Sequence, residues 1–219
     1  MGVLLMLMTI GVLAFAVVVL IVSLLTGSRW LRNFILGSVA IWLISYYLIL
    51  LFVSFYSTER TLVIGDAKEY CGFYLDCHLH TAVTGVRLAR SIGNRTADGE
   101  FYIVKVKVFS DAKRATLGLL TVDARIHDAQ GNRYERVTAA EEQLYPQPDF
   151  ERQLSPTESF EKEIVFDLPN GVNAPRLDIR EGYGIDHFIE AFLIGDEDSL
   201  LHKRIYFQLP GQSQMAEVN

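Results

Sequence analysis

The sequence predicts a membrane-anchored all-β protein: a transmembrane hairpin of two helices followed by an antiparallel β-sandwich. Three observations predict it. Residues 1–57 hold no acidic residue and no lysine, and their basic residues are Arg29 and Arg32. From about residue 60 the hydrophobic period becomes two. Pro146, Pro148, Pro156, Pro169 and Pro175 fall between the alternating runs, where a missing N–H does little harm. Half of the 219 residues are hydrophobic and the mean hydropathy is +0.22, so apolar residue is in excess of what a soluble domain carries. That excess sits at the front of the chain.

The run "VLLMLMTIGVLAFAVVVLIVSLL" (3–25) is uncharged. As a helix it reaches about 34 Å, enough for a hydrocarbon core of about 30 Å. The run "FILGSVAIWLISYYLILLFVSFY" (34–56) has the same reach. Only "TGSRWLRN" lies between them, which forces an antiparallel hairpin over 1–57. The first run lacks a basic leader and is longer than the apolar stretch of a cleaved signal peptide, so both helices are expected to be retained. Arg29 and Arg32 favour a cytoplasmic bend, although Arg60 and Lys68 after the second helix oppose that contrast. The expectation is a multi-pass cell-membrane protein with its C-terminal domain extracytoplasmic. Ser45, Tyr46 and Tyr47 fall at the centre of the second helix, where hydrocarbon offers their hydroxyls nothing. They point to a helix–helix contact, within the hairpin or with a protein partner.

A linker is expected over 58–70, a sandwich over 71–209 and a flexible tail over 210–219. In "FYIVKVKVF" (101–109), Tyr102, Val104, Val106 and Val108 share one face and Lys105 and Lys107 the other. In 119–127, Leu120, Val122, Ala124 and Ile126 alternate with Thr121, Asp123, Arg125 and His127, ahead of a turn at Asp128–Asn132. Phe160, Ile164, Phe166 and Leu168 line up with Lys162 as the exception, and Ile205, Phe207 and Leu209 form the last inward face. Such alternation reads as half-buried antiparallel strands. Within 183–203, Ile185, Phe188, Ile189 and Phe192 keep helical spacing, but a strand or bulged strand is the expectation there.

Residues 58–219 carry 18 basic and 26 acidic residues, a net of −8, which disfavours nucleic acid or anionic lipid headgroups as the main partner. The chain's two cysteines lie in "EYCGFYLDCHLH" (69–80), beside His78 and His80. In an oxidising compartment Cys71 and Cys77 pair, and closing so short a loop restricts the unfolded chain by about 2 kcal/mol. Gly72 helps that loop turn. His78 and His80 are two apart, so on a strand both rings leave one face, as a chelating pair would. Cys77 then points the other way, and C-x5-C is wider than a usual zinc spacing. "GDEDS" (195–199) lacks the order of a calcium loop and reads as a solvated turn.

"DAQGNRY" after a strand, then "LSPTES" leading into "EIVFDLP", resembles the immunoglobulin-like domains of bacterial lipoproteins and membrane-anchored envelope proteins. That family is a domain of unknown function whose sandwich is similar to a secreted mycobacterial antigen. The resemblance covers roughly 75–209 and implies an extracytoplasmic immunoglobulin-like sandwich with no established catalytic residue. The expected function is a non-enzymatic envelope interaction module with no cofactor, held by the bilayer and meeting a protein partner in the envelope or through Tyr46 and Tyr47. The alternative is a copper- or zinc-binding envelope protein using the cluster at 71–80, with His78 and His80 as ligands. A hydrolase would have only the scattered His127, His187 and His202 to draw on.

Overall fold

The computed structural model describes residues 2–71, 77–212 and 215. In chain order the elements are α1 (Gly2–Leu25), α2 (Arg29–Phe55), β1 (Arg60–Leu62), β2 (Ala67–Tyr70), β3 (Leu79–Ile92), β4 (Arg95–Ser110), β5 (Val122–His127), β6 (Arg133–Glu135), α3 (Thr138–Glu141), β7 (Ser159–Leu168), β8 (Arg176–Glu181), α4 (Gly184–Glu190) and β9 (Ile205–Gln208). They divide into two units, the helical one formed by 1–58 with 184–204 and the sandwich by 59–183 with 205–219.

In the helical unit, α1 and α2 are each long and apolar enough to cross a membrane, by length and composition. Their side chains face outward: Phe15, Ile41, Leu48 and Phe52 are each more than half exposed. α2 begins at Arg29 rather than at the expected residue 34. Hydropathy marks the hydrocarbon-compatible stretch, whereas the helix starts where its first amides find a cap. Here the Ser28 hydroxyl accepts from the Leu31 amide, and Gly27 takes the positive φ of 68° that reverses the chain. A hydrogen bond from Trp42 Nε1 to Thr9 Oγ1, at 3.2 Å, ties the pair.

The sandwich unit stacks a five-stranded sheet, β1-β9-β8-β5-β6, on a four-stranded one, β2-β3-β4-β7. The long β3–β4 hairpin turns at Gly93–Asn94, with Gly93 at φ 56° and the Asn94 amide donating to Gln143 Oε1. A methyl at Gly93 would lie 2.1 Å from that same oxygen and push the Gln143 side chain aside, and the positive φ itself favours glycine. The expected inward faces form the main core: Tyr102, Val104, Val106 and Val108 of β4, Val122, Ala124 and Ile126 of β5, Phe160, Ile164, Phe166 and Leu168 of β7, with Phe207 and Leu209. Lys162 also lies on that face, and its ammonium reaches the Pro148 carbonyl at 2.9 Å. A smaller core on the outer side of β4 and β7 holds Phe101, Ile103 and Val165 with Ile92 and Ala140. α3 anchors over it, because buried Glu141 accepts from Arg136 and from the Val165 amide.

Five expectations need correction. The fold is not all-β, since beyond the two expected N-terminal helices it carries α3 and α4. Residues 58–70 are no linker: β1 pairs parallel with β9, and β2 antiparallel with β3. Strands of three and four residues are too short to show a period. Residues 183–203 contain a helix, α4, instead of a strand, so the spacing of Ile185, Phe188 and Phe192 was the true signal. Leu120 stands outside β5 and is exposed. Of the expected flexible tail, Met215 packs on the core, while 213–214 and 216–219 lie outside the described residues.

Candidate functional site

The cysteine–histidine stretch lies where β2, β3 and β4 end together. Tyr70 is the last residue of β2 and pairs with Leu79, the first of β3. Directly beyond that rung Cys71 and Cys77 form a disulfide, so the bridge closes the β2–β3 connection. Gly72, expected to help the turn, lies outside the described residues.

His78 and His80 do share a side, and what they share is Asp111. His78 Nδ1 lies 2.6 Å from Asp111 Oδ1, and His80 Nε2 lies 3.5 Å from Asp111 Oδ2. The β3–β4 pairing brings Asp111 there, because the ladder runs Leu79–Ser110 and the Asp111 amide donates to the His78 carbonyl. The imidazole of His80 stacks on Phe109, its cross-strand partner, with 4.9 Å between ring centres. Lys107 stands over the same phenyl ring. The hydrogen bond from His78 takes the Asp111 carboxyl below its ordinary value against the opposing effect of desolvation, with help from His80. With the bridge formed, the two sulfurs are not thiolates, which takes them out of a cation site and leaves Glu69 beside them with His78, His80 and Asp111 as the nearby donors. Sequence reasoning missed Asp111 because it sits 33 residues from His78.

Two polar features tie the sandwich together. Lys68, in the stretch expected as linker, is buried, and its ammonium donates to the Ile179 carbonyl at 2.6 Å. The Tyr70 hydroxyl lies 3.2 Å from the same carbonyl and 3.1 Å from Thr81 Oγ1. β2 and β8 belong to different sheets, so these bonds cross the sandwich. The "DAQGNRY" segment is organised by buried Asp128. Its carboxylate accepts from the Gln130 and Asn132 amides, the Asn132 side chain and the Tyr134 hydroxyl. Burial raises the Asp128 carboxyl, yet those donors together hold it below the ordinary value. All of these contacts are internal, which makes Asp128 a turn organiser rather than a binding group.

A groove of about 520 Å³ opens beside the end of β9, lined by Val63, Ile64, Asn173, Ala174, Gln208, Leu209, Pro210 and Gly211. Val63 and Ile64 are exposed within it. Ala174 holds a positive φ of 48°, the left-handed region that costs an alanine energy, and its rim position is therefore enforced by its surroundings. The groove's lining mixes apolar side chains with the amides of Asn173 and Gln208, a surface without formal charge.

The remaining residues singled out in the sequence are spread apart. His127 faces Tyr206 on the outside of its sheet, and His202 Nδ1 contacts the Lys203 carbonyl. His187 contacts Glu190 and Asp198 in the helical unit. The "GDEDS" stretch is a turn, but it is not solvated throughout, since the Asp198 side chain is 9% exposed. Tyr46 does not bridge the helices: its hydroxyl donates to the Phe192 carbonyl at 2.7 Å, while Tyr47 is about half exposed.

No curated protein matches this chain. Among solved structures it is similar to the secreted protein MPT63 of Mycobacterium tuberculosis, at 13% identity over 70% of this chain and 98% of that one, with a TM-score of 0.43. It is similar to an uncharacterised β-sandwich protein of Clostridium difficile, at 8% identity over 70% and 96%, and to the yjhA protein of Bacillus subtilis, at 12% over 53% and 78%, both with a TM-score of 0.38. Residues 76–187, just over half of the sequence, match the family described as Domain of unknown function (DUF4352), and the chain belongs to that family.

Proposed function

We propose that the protein is a membrane-anchored, non-enzymatic interaction module. The two apolar helices span the bilayer as a hairpin, and the immunoglobulin-like sandwich stands on the extracytoplasmic side, opposite the bend that carries Arg29 and Arg32. The observation that carries this reading is the outward apolar surface of α1 and α2, which water would not tolerate over two helices of 24 and 27 residues. The Cys71–Cys77 bridge supports an oxidising location. The groove bordered by Ile64 and Ala174 is the surface through which the sandwich meets an apolar segment of an envelope protein, and Tyr47 is a second contact, within the bilayer.

The test is thiol labelling of intact cells with a membrane-impermeant reagent, before and after reduction. Labelling that appears only after reduction is expected. Thiols reached only after the cells are broken open would overturn the orientation. For the groove, a photo-crosslinker at Ile64 or Ala174 should give a discrete adduct in intact cells, while one at exposed Ala129 gives none. Equal adducts at all three positions would remove the groove from consideration.

A further inference from the structure

Residues 184–204 join neither sheet and run along α2 instead. The Tyr46 hydroxyl bonds the Phe192 carbonyl, the Ser54 and Ser199 hydroxyls lie 3.2 Å apart in a buried contact, and the Lys203 amide donates to Ser57 Oγ at 2.8 Å. The order is monotonic, so the segment follows the helix outward from Tyr46. Tyr46 lies nine residues before the end of α2, about 14 Å along its axis. Packing is close at the start of α1 as well, where a methyl on Gly2 would meet the Ile194 carbonyl at 2.3 Å.

The outward face of this segment is apolar. Ile185, Phe188 and Phe192 are 70%, 67% and 46% exposed, and the last two rings touch edge to face with centres 5.4 Å apart. Leu200 and Leu201 are exposed too. Four polar side chains meet one another: His187 contacts Glu190 and Asp198, and Arg204 contacts Asp198. Amides of the following turn are also satisfied internally, from Ala191 to the His187 carbonyl, Phe192 to Ile189 and Leu193 to Glu190. A short element with paired backbone groups, clustered charges and an aromatic outer face suits the boundary between headgroups and acyl chains.

We infer that residues 184–201 form an interfacial membrane element docked on the hairpin, with Ile185, Phe188 and Phe192 inserted among lipid acyl chains. The occupant of this face is the bilayer, because the face continues from a helix whose own exposed side chains are those of a lipid-facing surface. The inference rests on the reading of α1 and α2 as a membrane hairpin.

The test uses the full chain in phosphatidylcholine–phosphatidylglycerol vesicles, with a nitroxide on Phe188→Cys, Phe192→Cys, Phe15→Cys or Ala129→Cys. The native cysteines are paired, so each variant offers one free thiol. Collision rates with oxygen and with a water-soluble nickel chelate are compared. Labels at 188 and 192 should favour oxygen over the chelate by several-fold, as at 15, with the reverse at 129. Chelate preference at 188 and 192 with oxygen preference kept at 15 would overturn the inference and leave the hairpin standing. Exclusion of both reagents at 188 and 192 would overturn it in favour of a protein partner. Chelate preference at 15 would remove the hairpin reading, and this inference with it.

Discussion

Lys68 offers the sharpest test of how the two sheets are held together. Its ammonium and the Tyr70 hydroxyl converge on the Ile179 carbonyl, and its stem is buried with them. Lys68→Met keeps most of the stem and removes the charge. The lost hydrogen bond and the lost place of the ammonium over the Tyr70 ring stand against the relieved desolvation of the charge, and Ile179 keeps its bond from Tyr70. The expected cost is about 0–1 kcal/mol. Lys68→Ala deletes three buried methylenes at about 0.8 kcal/mol each, so about 2.4 kcal/mol before any cavity contribution. Lys68→Met with Tyr70→Phe leaves the Ile179 carbonyl with neither donor, adding about 1–3 kcal/mol. The assay is thermal unfolding of the full chain in detergent, followed by near-ultraviolet circular dichroism. For a sandwich of this size 1 kcal/mol moves Tm by roughly 3–4 °C, so Lys68→Ala should melt roughly 7–10 °C lower. Equal losses for Met and Ala would refute the reasoning, because the charge rather than the stem would then do the stabilising.

Three further outcomes follow from the same contacts. Cys71→Ser with Cys77→Ser should lower sandwich stability by about 2 kcal/mol, read in the same melting experiment; an unchanged Tm would show that the β2–β3 rungs alone fix that connection. The Asp111 carboxyl is lowered on folding, so its contribution is present above the ordinary value of 3.8 and is lost as pH falls through the lower folded value. Asp111→Asn should therefore flatten the acid limb of a stability–pH profile below about pH 4, and an unaltered limb would mean that His78 does not hold the carboxylate in solution. Equilibrium dialysis against zinc or copper should give the same uptake for the native chain and for His78→Ala with His80→Ala; a drop in uptake would make the His78–Asp111–His80 triangle a metal site.

What could be read from the sequence was whatever repeats along one element. Tyr102 to Val108, Val122 to Ile126 and Phe160 to Leu168 alternate cleanly because each strand has one face in the main core. β3 stayed hidden for a physical reason. Register shifts at Val83/Gly85 and Ala89/Ser91 move its inward positions out of phase, so no single period runs through 79–92. β2 stayed hidden because its buried side chains are Lys68 and Tyr70, and a lysine ordinarily signals a solvent face. In 183–203 the helical period was present, but its strand-rich surroundings argued the other way.

The site was harder to read than the fold, for the same reason. Cys71 and Cys77 are six residues apart, and their pairing could be anticipated from composition and compartment. Asp111 could not, because nothing near it in the chain marks it; only the full length of the β3–β4 hairpin folds it back onto His78. Its arrival changes the chemistry of the cluster. With a carboxylate between them, the His78 imidazole is held by a hydrogen bond, while His80 Nε2 lies buried 3.5 Å from the same carboxylate and is steadied by its stacking on Phe109. The disulfide closes the same end from β2. Together they make this rim a built corner of the sandwich, closed by a covalent bond from β2 and a carboxylate from the end of β4.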